Sequence, residues 1–447
     1  MAKQRTGLDD SLSADHSIKG RTANQISESI KVAINRGAFR SGDALPAIRA
    51  LAERLGVNRN TVASAYRHLS DAGIIEGRGR QGSRVATQAG SASRRPTMLH
   101  DIGGGNPDSR LLPDVKTVLS QSVWLPRGYE DPPDNPALID FARQQLADDG
   151  MPLGDVWISN GTFDAVDMIL RAYLQPGDAI AVEDPCFMTT LGLVKELGLL
   201  PVPMAVDDQG VLPEAMDKAL KKGVKAVILT PRAHNPFGGS WTAKRRDDLA
   251  RVIGRHKDLL LIEDDHFAPL SPFKPVTLVS ADRPNWAIIR SVSKYVGPDL
   301  RLAFVNSSDG LAKKVSGLAA FSHRWVSGVL QAAVLSTVTS KDYARIIRDA
   351  SQAYTARRKY LLDALRDAGI EAHGEDGINV WIPVSDEQAI TRRLMESGWI
   401  VRPGDIFRLE SGQAIRVTVS TLTDREAHEL AVLLAGLQRQ GAVQRGA

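Results

Sequence analysis

The sequence predicts an α/β protein with two folded parts: a small helical domain with a β-hairpin, and a larger domain with a doubly wound, mostly parallel sheet. Three observations support this fold class. Residues 17–86 contain short helical patterns separated by glycine turns. Residues 87–99 are small, polar and aperiodic, which is typical of a linker. In residues 100–447, short apolar strands alternate with longer helices.

The composition is that of an ordinary globular protein. Of 447 residues, 43% are hydrophobic and 24% are charged. The single cysteine, Cys186, excludes an intrachain disulfide framework and fits a reducing compartment. No apolar run is long enough to cross a membrane, and the first residues lack the apolar core of a signal peptide. We therefore expect a cytoplasmic protein without a membrane partner.

The positive charge is concentrated in the first part of the chain. Residues 1–86 contain 14 Lys and Arg against 8 Asp and Glu, and the remaining residues contain 42 against 44. This asymmetry favours a nucleic-acid-binding segment joined to a neutral or weakly acidic body, although an ordinary basic surface would give the same counts.

The first domain is predicted to be a helix-turn-helix with a wing. A first helix spans Arg21 to Arg36, and a second spans Ile48 to Leu55. Gly56 and Val57 form a tight turn, and Asn58 is a good N-cap for a third helix that runs to Ala72. Gly73 to Val85 is a strand, a glycine-rich tip and a second strand, which together predict a basic wing.

The placement of these elements predicts which residues contact DNA. The third helix opens with Arg59, Asn60 and Thr61, and in a helix-turn-helix these residues face base edges in the major groove. The other basic residues are predicted to contact phosphates or the minor groove: Arg49, Arg67, Arg78, Arg80 and Arg84. The alternative is a protein-interaction module with ordinary surface arginines.

Lys294 is the main candidate for chemistry in the second domain. It follows the apolar strand Trp286 to Ile289, stands beside Ser291 and Ser293, and is followed by Arg301. The lysine amine can form a Schiff base with an aldehyde, and the hydroxyls and the guanidinium can hold phosphate oxygens. Together they predict a site for pyridoxal 5′-phosphate (PLP). A surface lysine in a serine-rich loop is the alternative.

Other polar residues follow neighbouring strands, where open α/β sheets bind their ligands. Gly161 and Thr162 open a helix whose N–H groups can bind a phosphate, or they are a plain N-cap. Phe187 can stack on an aromatic ring, or it belongs to the core. Asn235 can donate to a phenolic oxygen. Asp264 can keep a pyridine nitrogen protonated, which makes the ring an electron sink, or it caps a helix.

The first domain resembles the winged helix of GntR-type bacterial regulators. The resemblance is carried by Gly42-Asp43-x-Leu45-Pro46-x-x-Arg49-x-Leu51-Ala52 and by Gly56-Val57-x-Arg59-x-Thr61-Val62. It implies binding to double-stranded operator DNA.

The second domain resembles fold-type I aminotransferases over residues 100–440. The shared features, in chain order, are the Gly161-Thr162 helix start, Phe187, His234-Asn235-Pro236-x-Gly238, Asp264, Ser291-x-Ser293-Lys294 and Arg301. The resemblance implies a smaller C-terminal α+β part and a PLP cofactor joined to Lys294 as a Schiff base. It also implies ring contacts from Phe187, Asn235 and Asp264, and phosphate contacts from Gly161, Thr162, Ser291, Ser293 and Arg301.

The resemblance assigns two further residues and shows one departure. Tyr129 is similar to the tyrosine that reaches the phosphate of the neighbouring subunit, and Arg416 to the arginine that clamps a substrate carboxylate; an ordinary strand-end arginine is the alternative for Arg416. His266 stands where the family has a tyrosine that touches the ring oxygen. We expect its charge to vary between pH 5 and 8, which puts catalytic competence in question.

A GntR-type winged helix followed by an aminotransferase-like body resembles the MocR subfamily of bacterial regulators, and several stretches resemble its PtsJ branch, which is linked to vitamin B6 metabolism. This resemblance implies a transcriptional regulator that senses PLP, an amine or a B6 vitamer with little or no turnover. It also implies a homodimer in which the winged helix crosses to the partner subunit. Two alternatives remain: a PLP-dependent aminotransferase with an accessory DNA-binding domain, and a DNA-binding protein whose body only dimerises.

Overall fold

The structure is a computed structural model that describes residues 18–445 except 36–37, 40–41, 72–73, 78–81, 86–98, 127 and 323. The chain separates into two compact units, which divide between Arg94 and Arg95. The predicted linker, residues 87–99, lies outside the described residues except for Leu99.

The first unit is a winged helix-turn-helix, as predicted. Its elements are α1 (Ala23–Asn35), α2 (Ile48–Leu55), α3 (Arg59–Asp71), β1 (Ile75–Gly77) and β2 (Ser83–Val85). The strands β1 and β2 pair antiparallel. Apolar residues at helical spacing fill one core, among them Ile26, Ile30, Leu51, Val62 and Leu69.

The turn between α2 and α3 follows from two residues. Gly56 adopts the left-handed conformation, with φ of 64°, and its N–H and that of Val57 bond back to carbonyls of α2. Asn58 lies just before α3 and accepts a hydrogen bond from the backbone N–H of Asn60 at 2.8 Å. The third helix therefore begins at Arg59, because Asn58 caps it from outside.

The second unit is built on an eight-stranded, mostly parallel sheet with the strand order β4-β11-β10-β9-β8-β5-β6-β7. The four contacts among β10, β9, β8, β5 and β6 are parallel, and β11 and β7 pair antiparallel with their neighbours. The strand bounds are β4 Asp155–Ser159, β5 Ala179–Asp184, β6 Leu200–Asp207, β7 Gly210–Val211, β8 Ala226–Leu229, β9 Leu260–Asp264, β10 Trp286–Ser291 and β11 Ala303–Ser307.

Helices cover both faces of this sheet, which confirms the doubly wound architecture. In β9, Leu261 belongs to the core on one face and Leu260 and Ile262 to the core on the other, because successive strand side chains point to opposite faces. The helices of this part are α4 Val115–Gln121, α5 Pro136–Asp148, α6 Thr162–Tyr173, α7 Met188–Glu196, α8 Pro213–Leu220, α9 Ala243–Ile253, α10 Asp309–Ala319 and α11 Gly328–Val338.

A smaller α+β part completes the second unit. The long helix α12 (Tyr343–Asp367) leads into it, and it contains β12 (Asn379–Pro383), α13 (Glu387–Glu396), β13 (Trp399–Ile400), β14 (Arg402–Pro403), β15 (Ala414–Thr418) and α14 (Asp424–Arg445). Three strands pair in the order β12-β15-β14. The first strand of the unit, β3 (His100–Asp101), pairs with β13 and so joins the start of this unit to its C-terminal part. Among the described residues, no helix is long and apolar enough to span a membrane.

Candidate functional site

The carboxyl ends of the central strands bring the candidate residues together. Asn235 follows β8, Asp264 ends β9, and Lys294 follows β10. Neighbouring parallel strands end at the same edge of a sheet, so these side chains gather there. Arg416 of β15 reaches the same place, because its Nη1 donates to Asn235 Oδ1 at 3.1 Å.

The Lys294 amine is partly buried, and its pKa is lowered. Its Nζ donates a hydrogen bond to the Gly105 carbonyl oxygen at 2.7 Å. Burial, followed by the positive charge of Arg416, lowers the pKa of Lys294 to about 8, and the nearby Asp264 opposes this shift. The deprotonated amine, which is the nucleophile, is therefore accessible near neutral pH.

Asp264 has an unsatisfied carboxyl oxygen. Its Oδ1 is buried and has no hydrogen-bond partner within the described part of the chain. Burial raises the pKa of Asp264 to about 8, with further contributions from Asp265 and Glu183, while Lys294 acts in the opposite direction. A buried polar atom without a partner costs free energy, and a protonated ring nitrogen would supply both a donor and a compensating charge.

A second unsatisfied group lies at the start of α6. The Thr162 hydroxyl is buried and has no partner among the described residues. The preceding Gly161 has φ of 91°, and a Cβ there would lie 3.9 Å from the Arg301 guanidinium. The helix start, the hydroxyl and the guanidinium together present donors suited to a phosphate.

Ser291 and Ser293 extend the same polar surface. Their hydroxyl oxygens are 2.9 Å apart, and the Ser293 N–H donates to Ser291 Oγ at 3.2 Å. Arg301 is held in the left-handed conformation, with φ of 42°, and donates to the Asn160 carbonyl oxygen at 3.5 Å. Residues on both sides of Lys294 thus offer donors for one anion.

Arg416 is buried, and no acidic side chain among the described residues pairs with it. It is 1% exposed, packs over the Phe407 ring at 4.8 Å, and donates from Nη2 to the Gly103 carbonyl oxygen at 2.7 Å. Burial, followed by the charge of Arg402, lowers the pKa of Arg416 to about 10. Because Asn235 accepts from Arg416 through Oδ1, its amide NH₂ remains the group that can donate to a ring oxygen.

His266 differs from its expected behaviour. Its Nδ1 lies 3.9 Å from Asp264 Oδ2. Burial, followed by the charge of Lys294, lowers the pKa of His266 to about 4. The expectation that its charge varies between pH 5 and 8 is therefore wrong, because the enclosed ring is neutral throughout that range. A neutral imidazole can donate one hydrogen bond.

The two aromatic candidates have different environments. Phe187 is partly buried and packs against the small cluster that contains Phe237, Trp381 and Phe407. Tyr129 is 74% exposed, and its ring contacts within the described chain are with Trp325 at 5.9 Å and Arg324 at 5.6 Å. The structure therefore does not bring Tyr129 to the other site residues of its own chain.

The residue next to Asp264 belongs to a buried ion network that was not predicted from the sequence. The neighbouring Asp265 is 3% exposed and accepts from Arg232 Nε at 2.9 Å and Arg290 Nε at 3.0 Å. Burial alone would raise the pKa of Asp265, but the two arginines hold it below its ordinary value. No arginine forms an ion pair with Asp264 within the described residues. In the sequence, the only sign of this network is the run of three acidic residues Glu263-Asp264-Asp265.

The predicted DNA-contacting residues lie on the helix-turn-helix surface where they are described. Arg49, Arg59, Asn60 and Arg67 are exposed on α2 and α3. Thr61 is half-buried. Arg84 is exposed and donates to the Gly42 carbonyl oxygen at 3.0 Å. Arg78 and Arg80 lie outside the described residues.

Two protein-family models match this chain. The model for bacterial regulatory proteins of the gntR family matches residues 22–85. The model for class I and II aminotransferases matches residues 137–434. The two matches correspond to the winged helix-turn-helix and to most of the second unit.

Two curated transcriptional regulators are similar to this chain over most of its length. The chain is 40% identical over 425 residues to the vitamin B6 salvage pathway transcriptional repressor PtsJ of Salmonella typhimurium, covering 93% of this chain and 98% of that protein. It is 25% identical over 367 residues to the pyridoxine biosynthesis transcriptional regulator PdxR of Corynebacterium glutamicum, covering 77% and 78% of the two chains.

Solved structures share the fold of the second unit. An archaeal alanine:glyoxylate aminotransferase superimposes with a TM-score of 0.70 at 24% identity, covering 77% of this chain and 92% of that one. The kynurenine aminotransferase of Pyrococcus horikoshii gives a TM-score of 0.68 at 20% identity, with the same coverage of 77% and 92%. At these identities the similarity establishes the fold of this unit.

Proposed function

Because this chain belongs to the MocR-type group of GntR transcriptional regulators, in which a winged helix precedes an aminotransferase-like, PLP-binding domain, we propose that it regulates transcription through a PLP site built around Lys294. One observation carries the site: two buried polar atoms, Thr162 Oγ1 and Asp264 Oδ1, have no partner among the described residues. They belong to the residues expected at the two ends of the cofactor.

The residues around Lys294 fit PLP. Asp264 would pair with the ring nitrogen, and Asn235 and His266 would donate to the ring oxygen. Phe187 would lie against the ring, and the phosphate would be held by Gly161, Thr162, Ser291, Ser293 and Arg301. Bound PLP supplies an aldehyde for amines and a ring that withdraws electrons when its nitrogen is protonated. Lys294 supplies the amine, and Arg416 can hold the carboxylate of an incoming effector.

Operator DNA is bound by the first unit. The exposed residues at the start of α3, Arg59 and Asn60, would read base edges with Thr61. Arg49 and Arg67 would contact phosphates. The unit therefore presents base-reading and phosphate-binding groups from neighbouring helices.

The regulated process is vitamin B6 metabolism. The proposal is supported by the names of two relatives, one a repressor of vitamin B6 salvage and the other a regulator of pyridoxine biosynthesis. Either PLP itself or an amine that reacts with it would be the signal. To regulate, this effector must bind two arrangements of the protein with different affinity. The protein acts in the cytoplasm, where its DNA lies.

A homodimer is supported by an exposed apolar surface. Val123, Trp124 and Leu125 follow α4 and are 85%, 53% and 79% exposed, and Phe321 is 94% exposed. The Tyr129–Trp325 ring contact shows that the segment after α4 meets the segment before α11 at these two residues. Exposed apolar patches of this kind mark interaction surfaces. A second copy on this face would bring Tyr129 to the site of the partner subunit.

An aminotransferase is the second candidate function. It is supported by the presence of Lys294, Asp264, Asn235 and Arg416 in one site. Multiple-turnover formation of a keto acid from any amino acid, at enzyme-like rates, would establish it. A single spectral change without turnover would favour regulation.

The test is a PLP titration in which visible absorbance and binding to the gene's upstream DNA are measured in the same samples. For the unaltered protein we expect a Schiff-base band and a change in DNA affinity that follows it. Lys294→Ala should abolish the band. Arg67→Ala should keep the band and weaken DNA binding. A band that persists in Lys294→Ala would contradict the role of this lysine, and a band without any change in DNA affinity would make PLP a resident cofactor.

A further inference from the structure

Two arginines lie side by side in the small sheet of the second unit. Arg402 of β14 is directly opposite Arg416 of β15 in the antiparallel register. Opposite residues in such a pair point to the same face, with Cβ atoms about 4.5–5.5 Å apart, and like charges in this arrangement are destabilising. The pair therefore places two positive charges close together on one face of this sheet.

Both guanidiniums converge on one backbone oxygen. Arg416 Nη2 and Arg402 Nε donate to the Gly103 carbonyl oxygen at 2.7 Å and 3.2 Å. A carbonyl dipole provides an acceptor but no net charge. The site thus holds two cations around an acceptor that neutralises neither of them.

No carboxylate forms an ion pair with either arginine within the described part of the chain. The nearby Asp101 is used otherwise, because its Oδ1 accepts from the Gly103 N–H at 2.9 Å. Arg416 is 1% exposed, and its Nε is buried without a partner. A buried guanidinium with an unused donor indicates a ligand that completes it.

We propose that Arg402 and Arg416 form a subsite for two carboxylates, so that the effector is an amino acid with a second acidic group. One carboxylate binds Arg416 and the other reaches Arg402, while the amino group faces Lys294. A single carboxylate would balance only one of the two guanidiniums, whereas a dicarboxylic amino acid balances both. This inference rests on the proposed function, in which amines act at Lys294.

The experiment compares L-glutamate with the isosteric L-glutamine on the full-length, PLP-loaded protein by titration calorimetry. We expect glutamate to bind about tenfold or more tightly than glutamine, because a desolvated charge pair replaces a neutral hydrogen bond. Arg402→Gln should reduce this preference to about twofold, mainly by lowering the affinity for glutamate. Arg402→Lys should keep part of it, and the exposed control Arg392→Gln on α13 should leave it unchanged.

Several outcomes would overturn the inference. Equal affinity of the unaltered protein for the two amino acids excludes a second carboxylate site. If Arg402→Gln weakens the binding of glutamate and of glutamine equally, Arg402 acts only on the α-carboxylate that both amino acids carry. If PLP gives no visible band, the proposed function fails. The two-carboxylate subsite is then tested separately by titrating the dicarboxylate glutarate and the monocarboxylate pentanoate into the same protein. Equal binding of the two, or no binding of either, rejects the subsite.

Discussion

Burial moves the pKa values of Lys294 and Asp264 toward each other, and this sets the pH range in which the two groups exchange protons. Both lie at about 8, the lysine lowered and the aspartic acid raised. Desolvation disfavours the charged form of each group, and their attraction for one another is too weak to restore it. The two groups therefore titrate as a coupled pair near neutral pH.

The first prediction concerns the rate at which Lys294 captures PLP. Only the deprotonated amine attacks the aldehyde, and with a pKa of about 8 its fraction rises about tenfold between pH 7 and pH 9. We expect the stopped-flow rate of band formation to rise over this interval and then level off. A rate that still increases about sevenfold between pH 9 and 10 would show an ordinary, solvated lysine.

The second prediction concerns the stability of the PLP-free protein. The folded-state pKa of Asp264 lies above its ordinary value, so the stability from its protonated form is lost as the pH rises through about 8. Between pH 7 and 9, the unaltered protein should therefore lose more thermal stability than Asp264→Asn. Calorimetric melting curves without and with PLP measure this, and identical pH profiles of the two proteins would contradict it.

Some site residues could be predicted from the sequence and others could not. Lys294, Asp264 and Asn235 each follow an apolar strand in a distinctive local run, so a few neighbouring residues were sufficient to identify them as site candidates. Arg402 and Gly103 gave no local signal, because their roles depend on contacts between the beginning and the end of the second unit. The neutral state of His266 was also missed, since it follows from enclosure by distant parts of the chain.

Among the secondary-structure elements, the turn between α2 and α3 depends on one glycine. Gly56 has φ of 64°, a conformation that side chains disfavour, and a Cβ at this position would meet no atom within 4 Å. The cost of a side chain here is therefore conformational rather than steric. The orientation of α3, which carries the base-reading residues, rests on this turn.

The third prediction is that Gly56→Ala destabilises the helix-turn-helix by about 1 kcal/mol. Hydrogen exchange of the α2 and α3 amides in the full-length protein should become about fivefold faster, with no change in the central sheet. Gly56→Asn, which tolerates the left-handed conformation better, should have a smaller effect. Unchanged exchange in Gly56→Ala would show that the turn does not limit the local opening.

The elements themselves were predictable to different degrees. The central strands were found because four or more consecutive apolar residues are buried on both faces of a parallel sheet. The strands β3, β13 and β14 have two residues each, too few to show any periodicity. They exist because β3 pairs with β13 and β14 with β15, and such pairing is decided by the tertiary fold.

The second unit as a whole leaves four large apolar side chains more than half exposed: Val123, Trp124, Leu125 and Phe321. Aromatic side chains dominate the energetics of interfaces because they bury large areas. Tyr129, four residues after Leu125, is 74% exposed and does not lie in the site of its own chain. Assembly and cofactor binding are therefore expected to depend on each other.

The fourth prediction is that Trp124→Glu or Phe321→Glu dissociates the dimer. Burying a carboxylate in place of an aromatic anchor should raise the dissociation constant at least about 100-fold, measured by sedimentation. PLP affinity should fall in parallel. Met395→Glu, at a position 53% exposed on α13, is the matched control and should stay dimeric. A monomeric unaltered protein would reject the interface.

The contacts of Gly103 and Gly105 have a consequence for how strongly any effector can bind. Their carbonyl oxygens already accept hydrogen bonds from Arg416 and Lys294. A carboxylate that binds Arg416 must compete with the Gly103 carbonyl oxygen, so its apparent dissociation constant measures a difference between two competing sets of contacts. The Gly105 carbonyl oxygen competes with cofactor capture instead, because the Lys294 amine must leave it to form a Schiff base. The two backbone oxygens thus oppose two different binding steps.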